Sequence, residues 1–589
     1  MQYAELVRVY DVLVSTTKRL EKTRVLSLFL QKIPVKFLKQ VVYLLQGTVF
    51  PAYSKEKIGV ADRLILKALS LATGASENEL EKLWKKSGDL GEVAKRMIER
   101  RRQRSLFIQV LSVDKIFDNI TCLVKTKGGG SVDRKMSLIA ELLTAATPNE
   151  AKYVVRTVLG DLRVGVGDGV LRDAMVWAFL CPDIKYSDVT NSLNFNDEER
   201  DAYNLLVDGV QSMCDISNDF ADVAFRLREF GKEALYQVPI RVGIPLKVML
   251  FQKADSISDA FEKLGRPCAF EYKYDGFRLQ IHKNEEGINL FTRRLEDVTA
   301  QFPDVVAAVK RHVQARECIL DAEVVGYDKK TNKYTAFQHI SKRIKRKYDI
   351  KEVAEKFPVE VNVFDIISVD DKVLLQIPFE QRRKRLEAVV HLIPRVILPS
   401  KMLLTSDDVA AQEFYHSSLR AGNEGVMAKA LNALYKPGVR VGFGVKIKPV
   451  MDALDLVIVG AQWGKGKRAG WLTSFTVACQ GDDGSLLEIG KIGTGIKEKE
   501  EEGVSFKELT DLLQPLIISE SGRDVLVKPE IVIEVEYEEI QISPTYASGY
   551  ALRFPRLKKL RNDKPISDVS QVSIVKSLVG SQRGRLKKG

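Results

Sequence analysis

The stretch that decides the fold is Glu-Tyr-Lys-Tyr-Asp-Gly-Phe-Arg at residues 271–278, a strand-like run that reaches a glycine. Because side chains alternate between the faces of a strand, Lys273 shares its face with Glu271 and Asp275, while aromatic side chains fill the other face. A lysine acts as a nucleophile only when it is neutral, and neighbouring carboxylates favour its charged form. Two interpretations stay open: a nucleophilic Lys273 with further cations around it, or an exposed strand with an ordinary ion pair.

Three later runs carry the charges that a nucleophilic lysine needs around it. Hard carboxylate oxygens suit a magnesium ion with bound phosphate, and two lysines on one strand face suit the phosphate itself. Taken separately, the runs also fit an acidic edge strand, a helix cap and a solvated basic strand. The residues are Asp321 and Glu323 in LDAEVVG (320–326), Glu424 in NEGVMAK (423–429), and Lys446 and Lys448 in VKIK (445–448).

The chain around these runs divides into three regions of different texture. Residues 1–230 place apolar residues three and four apart, as in VADRLILKALSLAT (60–73), which is typical of amphipathic helices. Residues 231–450 alternate β-rich runs such as CILDAEVVGYD (318–328) with charged amphipathic stretches. Residues 451–589 hold short strands between glycine-rich turns, which is typical of a small barrel such as the OB-fold. The pattern predicts a multidomain protein with an all-α, an α+β and a β-barrel domain.

Composition indicates a folded protein that stays inside the cell. Of 589 residues, 45% are hydrophobic and 29% are charged, which excludes a mostly disordered chain. No uncharged apolar run reaches the roughly 18 residues of a membrane span, and the start lacks a signal-peptide layout, so we expect a cytoplasmic protein. The six cysteines are scattered without a CxxC pair, which disfavours a zinc site and a disulfide framework. The net charge of +13 favours a polyanionic partner.

Taken together and in this order, the motifs identify the chain as similar to the ATP-dependent DNA ligases, within the covalent nucleotidyltransferase superfamily. The resemblance runs over almost the whole chain and is greatest to the archaeal replicative type. KYDGFR (273–278) resembles the first family motif, which makes Lys273 the residue expected to become adenylated. Glu271 and Arg278 in and beside this motif are expected to contact the nucleotide.

The other family motifs imply further roles. They are Arg293 and Glu296 in FTRRLED (291–297) near the sugar and the DNA phosphate, Glu323 at the metal and ribose, Phe364 in VNVFDII (361–367) stacked on adenine, Glu424 at the metal, Lys446 and Lys448 on the α-phosphate, and Arg561, Asp563 and Lys564 in RNDK (561–564) at the leaving pyrophosphate. Two positions depart from the family pattern, since Gly444 stands where Trp is usual and Arg294 where Asn is common. The implied cofactors are ATP and Mg²⁺, for which Mn²⁺ can substitute.

The resemblance also implies an activity. A ligase of this kind seals 5′-phosphate/3′-hydroxyl nicks in duplex DNA through a lysyl-AMP and a DNA-adenylate, in replication, repair and recombination. The helical region would then be the DNA-binding domain, residues 231–450 the adenylation domain, and the barrel a mobile OB-fold. Nick sealing needs contacts to the DNA backbone, for which the glycine-rich runs 128–134 and 160–169 are candidates, the alternative being ordinary helix connectors. We expect a monomer that encloses nicked double-stranded DNA.

One short segment predicts a protein partner. RRQRSLF (101–107) resembles the sliding-clamp (PCNA) binding motif that archaeal ligases carry in this domain. Its candidate anchors are Gln103, Leu106 and Phe107, which would enter a hydrophobic pocket on the clamp. The alternative interpretation is a basic helix end.

Other members and other classes remain alternatives. An RNA ligase or an mRNA capping guanylyltransferase shares the Lys-x-Asp-Gly chemistry, but the large helical region and the clamp-like segment argue against both. A non-catalytic DNA-binding scaffold with this fold would be expected to have lost Lys273 or a metal carboxylate, and the chain keeps them. NAD as sole cofactor is disfavoured, because the cysteine quartet of bacterial NAD ligases is absent from the sequence.

Overall fold

The computed structural model describes residues 1–101, 110–236, 240–335, 337–344, 348–449, 451–464, 468 and 470–581. The first region is built from short helices. They are α1 Tyr3–Ser15, α2 Arg19–Lys32, α3 Val35–Leu45, α4 Asp62–Thr73, α5 Glu77–Ser87, α6 Leu90–Arg100, α7 Val113–Lys125, α8 Ser131–Ala145, α9 Pro148–Val158, α10 Asp168–Met175, α11 Asp197–Ser217 and α12 Phe220–Phe230. A π-helical turn spans Val176–Leu180, and a ribbon pairs β1 (Tyr186–Ser187) with β2 (Ser192–Leu193). This ribbon departs from the predicted all-α texture.

Local caps and a shared core explain why this region is helical. Ser76 begins α5 by accepting a hydrogen bond from the backbone N–H of Glu79. Gly74 ends α4 at φ +76°, a left-handed conformation that favours glycine. The inward faces of the helices form one apolar core, in which Tyr10 and Trp177 are almost wholly buried.

The second region contains two β-sheets. The first sheet has the order β10-β8-β7-β5-β6 with β9 on the edge of β8, and the second has the order β11-β4-β12-β13-β3. The strands are β3 Leu250–Ala254, β4 Cys268–Lys273, β5 Phe277–Asn284, β6 Gly287–Thr292, β7 Cys318–Gly326, β8 Val359–Val369, β9 Lys372–Val373, β10 Ile397–Pro399, β11 Met402–Thr405, β12 Gly425–Ala430 and β13 Arg440–Ile447. The run 271–278 thus passes from the second sheet to the first, because β4 and β5 belong to different sheets.

Helices accompany these sheets, and one buried histidine joins them to the chain that arrives from the first region. The helices are α13 Ile257–Leu264, α14 Pro303–His312, α15 Phe337–Ile344, α16 Ile350–Lys356, α17 Phe379–Val389 and α18 Asp408–Arg420. The backbone N–H of Gly243 donates to Nδ1 of His282 over 2.9 Å, and that of Leu246 donates to Gln280 Oε1 over 2.7 Å. Both acceptors lie on β5, so the connecting segment is fixed against the first sheet.

The third region is rich in antiparallel strands. They are β14 Leu454–Trp463, β15 Leu472–Gln480, β16 Leu486–Ile492, β17 Ile517–Ser521, β18 Asp524–Val527, β19 Val532–Glu536, β20 Glu539–Ile542, β21 Tyr550–Arg553 and β22 Arg556–Leu560, with helices α19 Phe506–Leu513 and α20 Val572–Ser581. The long β14 changes partner along its length, pairing with β19 through Leu454–Val457 and with β18 through Gly460–Gln462. The sheet order is β16-β15-β14-β18-β17, with β19 joining β14 to β22.

The predicted succession of a helical, a mixed and a strand-rich region is confirmed in this coarse form. The strand-like run 271–278 is divided between two strands, β4 and β5, and residues 531–543, which alternate like a single strand, are divided between β19 and β20. Across the described ranges, no helix combines the length and apolar character needed to span a membrane.

Candidate functional site

Lys273 stands at the end of β4, where β12 begins beside it. In the antiparallel pair of β4 and β12, Lys273 lies opposite Gly425, and the backbone N–H of Glu424 donates to the carbonyl of Lys273 over 2.8 Å. The Glu424 side chain is thereby brought to the Lys273 amine, with 2.6 Å between Oε2 and Nζ. Lys448, just after β13, approaches the same oxygen at 2.8 Å. Two lysines therefore converge on one carboxylate.

Two glycines permit this close approach of strands. A Cβ on Gly276 would lie 2.2 Å from the carbonyl oxygen of Val324 on β7. Gly425 has φ +140°, and a Cβ there would lie 2.1 Å from the Ile447 carbonyl oxygen on β13. Gly276 is thus required for packing, because the neighbouring strand β7 leaves no room for a side chain at this position.

The carboxylates near Lys273 differ strongly in their electrostatics. Burial raises the pKa of Glu424, but Lys273 and Lys448 together outweigh burial and hold that pKa well below its usual range. Burial raises the pKa of Glu323 to about 8; Lys273 and Arg278 oppose this shift, and Glu424 and Asp275 add to it. Glu323 therefore lies in a confined acidic neighbourhood that a cation would stabilise.

The two predicted metal residues, Glu323 and Glu424, interact electrostatically, since the charge of Glu424 contributes to the raised pKa of Glu323. Among the described residues, no group of three or more His, Cys, Asp or Glu side chains forms an arrangement that holds a metal by itself. Two carboxylates without a full protein cage suit Mg²⁺, which keeps several waters and shares phosphate oxygens. Asp321 is excluded from such a role, since it is fully buried and bonded to Arg278 and to the hydroxyl of Tyr435.

Glu271, two residues before Lys273, is held by buried donors. Its carboxylate lies 2.5 Å from Lys429 Nζ and 3.0 Å from the Arg383 guanidinium, and it accepts a 2.6 Å hydrogen bond from Ser400. Only 1% of Glu271 is exposed. Although Glu271 shares a strand face with Lys273, its ionic partners are thus Lys429 and Arg383. The basic side chain that lies near Lys273 is Lys448, and it contacts Glu424 instead.

Arg278 and Phe364 lie together at the junction of the sheets. The Arg278 guanidinium carbon is 5.1 Å from the centroid of the Phe364 ring, and Arg278 is ion-paired with Asp321. Lys429 lies 5.2 Å from the same ring. Phe364 is half-buried, so part of its ring remains available to a planar ligand.

The two lysines of the VKIK run are two residues apart: Lys446 lies on β13, and Lys448 directly follows it. Burial lowers the pKa of Lys446, and the charge of Lys448 acts in the same direction. Gly444, the position that departs from the family pattern, is explained by packing. A Cβ there would lie 2.4 Å from the ring of Phe251, so this ring fills the adjoining space.

The third region closes over the site with residues other than the predicted ones. Glu538 lies 3.1 Å from Lys448, and Arg553 lies 4.0 Å from both Asp275 and Glu424. These contacts line a cleft of about 910 Å³ between the second and third regions. Neither Glu538 nor Arg553 is among the site residues predicted from the sequence.

The RNDK residues are not brought to Lys273 in this arrangement. Arg561 pairs with Asp455 at 2.9 Å and with Asp563 at 2.8 Å, and Lys564 pairs with Asp455 at 2.6 Å. In the described part of the chain, no ion pair or hydrogen bond joins Arg561 or Lys564 to Lys273, Glu323 or Glu424. The expectation that they act on a leaving group therefore requires a different orientation of the third region.

Other predicted residues lie outside the Lys273 cluster. Arg293 is exposed in the turn after β6, and the neighbouring Glu296 and Asp297 pair with Lys57 and Lys55 of the first region, at 3.1 and 2.7 Å. The residues predicted to bind a clamp, Gln103, Leu106 and Phe107, fall outside the described residues. The glycine-rich runs 128–134 and 160–169 lie at the exposed starts of α8 and α10.

Comparison with known proteins gives consistent matches along the chain. The family described as "DNA ligase N terminus" matches residues 2–176, "ATP dependent DNA ligase domain" matches 248–448, and "ATP dependent DNA ligase C terminal region" matches 468–564. The DNA ligase of Nanoarchaeum equitans (strain Kin4-M) is 44% identical over 593 residues, covering 100% of both chains. The DNA ligase of Thermococcus fumicolans is 39% identical, covering 99% of both.

A solved structure resembles the chain in fold. The structure named "Pmar-Lig_PreS3" aligns with a TM-score of 0.54 and 16% identity, covering 94% of this chain and 99% of that one. At this identity the likeness concerns the fold alone.

Proposed function

Since the chain belongs to the ATP-dependent DNA ligase family, we propose that Lys273 is its nucleophile and carries AMP between ATP and a nicked duplex. The observation that supports this most strongly is the convergence of Lys273 and Lys448 on Glu424, at 2.6 and 2.8 Å. Lys446 lies on β13, two residues before Lys448. A lysine amine attacks phosphorus in its neutral form, and the lysines beside Lys273 would hold the phosphate that it attacks.

The first step is an in-line displacement at the α-phosphorus of ATP. The neutral Lys273 amine forms a P–N bond, the bond to the bridging oxygen breaks, and pyrophosphate leaves while a proton passes from the amine to solvent. Lys446 and Lys448 neutralise the charge that develops on the α-phosphate oxygens, and positioning and electrostatics supply most of the rate enhancement in such reactions. Lys446 lies on β13, the strand next to β12, and Lys448 directly follows that strand.

The nucleoside is held where the two sheets meet. Phe364 is half-buried and offers the exposed part of its ring to adenine, with Arg278 beside the ring and Glu271 paired with Lys429, which also lies over the ring. Arg293 reaches the sugar or DNA phosphate from the turn after β6. Glu323 lies near the ribose and the metal.

The acidic neighbourhood of Glu323 and Glu424 fits a Mg²⁺ ion, with Mn²⁺ as a substitute. Burial raises the pKa of Glu323 to about 8, and a cation bound beside it would favour the ionised form that can serve as a ligand. When bound, the ion supplies Lewis-acid stabilisation of phosphate oxygens. Glu323 and Glu424 would hold it.

Two further displacements complete nick sealing. The AMP passes from Lys273 to the DNA 5′-phosphate with cleavage of the P–N bond, and the 3′-hydroxyl then attacks that phosphate and releases AMP. Arg561 and Lys564 assist pyrophosphate departure in another orientation of the third region, which we infer to be a mobile OB-fold. The domains are 1–230 for DNA binding, 231–450 for adenylation and 451–589 for the OB-fold.

The proposal extends to partners and location. A sliding clamp binds through Gln103, Leu106 and Phe107, and replacing Leu106 and Phe107 with alanine should abolish clamp association without changing clamp-free joining. The protein acts as a monomer around nicked DNA in the cytoplasm of an archaeal cell, associated with the nucleoid.

Joining assays with two substrates test the proposed function. Wild-type protein with ATP and magnesium should seal a nick bearing a 5′-phosphate and leave a 5′-hydroxyl nick unsealed. Lys273→Ala should lose sealing with ATP, whereas Lys263→Ala, an exposed lysine of α13, should seal normally. Sealing by Lys273→Ala at the wild-type rate would refute the role of Lys273. In a separate incubation, covalent labelling of the protein by α-labelled GTP but not by α-labelled ATP would favour a capping enzyme.

A further inference from the structure

The loop between α9 and α10 has an unusual backbone. Gly160, Arg163 and Gly165 have φ values of +70°, +56° and +68°, so the chain turns repeatedly through the left-handed region. Leu162 and Val164 anchor the loop in the helical core, at 7% and 3% exposure. The alternate positions 163, 165 and 167 are exposed. The loop is therefore fixed from the inside and presents its other edge to solvent.

The N–H groups of this loop are available to a ligand. Among the hydrogen bonds of the described residues, none is donated by the backbone N–H groups of residues 162–167. Successive N–H groups in a turn with left-handed residues form a concave site that suits anions such as phosphate. Most contacts of a sequence-independent DNA-binding protein go to phosphates, and backbone N–H groups are common donors.

Lys22 of α2 holds the loop from behind. Its ammonium donates to the carbonyl of Val164 over 2.8 Å and to that of Gly165 over 3.3 Å. Lys22 is only 8% exposed, so a phosphate outside has little access to its amine. A Cβ on Gly165 would lie 2.4 Å from Lys22 Nζ, so the glycine is needed for the contact.

A second contact fixes the following helix to the same support. Arg19, one turn before Lys22 on α2, pairs with Asp173 of α10 at 2.6 Å. Helix α2 thus fixes both the carbonyl edge of the loop and the helix that it enters. In a trans peptide the carbonyl and the N–H of the next residue point in opposite directions, so holding the Val164 and Gly165 carbonyls inward keeps the N–H groups of Gly165 and Val166 outward.

We propose that Lys22 is a positioning residue for DNA binding: its buried ammonium holds the Val164 and Gly165 carbonyls so that the N–H groups of residues 162–167 stay presented to the phosphates of a nicked duplex. The inference rests on the proposed nick-sealing function and deepens its DNA-binding step. Lys22 acts through the loop and does not itself contact DNA.

The test is the affinity of the full-length Lys22→Met protein for a nicked duplex, measured over a range of salt. Methionine keeps the length and burial of the side chain and removes the charge. We expect the Kd to rise about ten-fold or more with an unchanged slope of log Kd against log salt, because the weakened contacts come from neutral N–H groups and no cation is withdrawn from a phosphate. Lys32→Met, an exposed change on the same helix, should leave the Kd within about two-fold of wild type.

Two results would overturn the proposal. A slope reduced by about one would mean that Lys22 binds a phosphate directly. An unchanged Kd would mean that the loop needs no support from Lys22. Self-adenylation, which takes place in another region, should be unaffected in the variant. If wild-type protein fails to bind and seal nicks, the proposed function fails instead, so the two failures are distinguishable.

A second variant decides the matter if Lys22→Met does not fold. Gly165→Ala places a methyl group 2.4 Å from the Lys22 amine and strains a φ of +68°, so it displaces the ammonium without removing it. The same rise in Kd, with an unchanged salt slope and normal self-adenylation, is expected. Wild-type affinity in Gly165→Ala would overturn the proposal.

Discussion

At the scale of single residues, the charge arrangement of the site depends on which carboxylate each lysine or arginine pairs with. The sequence places Glu271, Lys273 and Asp275 on one strand face, yet Lys273 pairs with Glu424, 151 positions further on. Glu271 is neutralised by Lys429 and Arg383. The face of a residue follows from strand periodicity, but its ionic partner depends on the register between distant strands, which no local pattern specifies.

The glycine after Lys273-Tyr274-Asp275 gives a stability prediction. Gly276→Ala should lower the free energy of unfolding by about 1–3 kcal/mol or more, because the new methyl would overlap the Val324 carbonyl oxygen, 2.2 Å from an ideal Cβ. Gly442→Ala is the matched control, since a Cβ on this strand glycine meets nothing within 4 Å. Urea denaturation of the two variants compares them. Equal midpoints would contradict the close approach of β7.

His282 gives a prediction about pH. Burial lowers the pKa of His282 to about 3, and its Nδ1 accepts a hydrogen bond from Gly243, so the imidazole is neutral in the folded protein. Its ordinary pKa is about 6.5. Below that pH the unfolded chain binds a proton that the folded chain does not, so this contribution to stability is lost as the pH falls from about 6.5 towards 3.

The ring resonances of His282 in NMR spectra test this directly. They should show no titration between pH 8 and pH 5, whereas a midpoint near 6.5 would contradict the buried, neutral ring. Assignment follows from the spectrum of His282→Gln, in which the resonances disappear.

At the scale of elements, local sequence predicted the type of the structure in several runs but not where the strands break. The β-rich run at 318–328 forms β7, and one of the charged amphipathic stretches between the β-rich runs forms α17. The run 531–543 looks continuous because it alternates strongly, yet Tyr537 and Glu538 separate two strands that belong to different sheets. Glu538 turns towards Lys448, a contact between regions that periodicity does not report.

Helix α17 is tied to β4 by a buried ion pair, and this gives a further prediction. Arg383→Met should destabilise the second region by about 3–5 kcal/mol, because the buried Glu271 carboxylate loses a charged donor. It should also raise the KM for ATP in self-adenylation, since Glu271 is paired with Lys429, which lies over the Phe364 ring. Lys384→Met, an exposed change on the same helix, should alter neither the thermal midpoint nor the KM. A wild-type KM with a lowered midpoint would limit Arg383 to a structural role.

At the scale of the whole molecule, the order of the three regions was predictable and their orientation was not. The family resemblance implies that RNDK belongs to the site, but the structure pairs Arg561 and Lys564 with Asp455 and turns Glu538 and Arg553 towards the site. That orientation depends on contacts across the cleft between the second and third regions, which no local sequence pattern specifies.

Contacts between the first two regions predict a rescue by charge exchange. Lys55, which is mostly exposed, pairs with the nearly buried Asp297 beside the Arg293 turn. Lys55→Asp and Asp297→Lys should each reduce nick joining up to about five-fold, since a surface ion pair contributes up to about 1 kcal/mol, and should spare self-adenylation. The double exchange should restore joining. Additive losses in the double variant would show that the pair does not couple the regions.

The central claim is that the amine of Lys273 holds a nucleotide through phosphorus, and peptide mass spectrometry tests it most directly. Protein incubated with ATP and magnesium, then digested, should show an AMP adduct on the peptide that contains Lys273. The adduct should be absent from Lys273→Ala and discharged from wild-type protein by nicked DNA. An adduct on any other lysine, or none in active wild-type protein, would contradict the account.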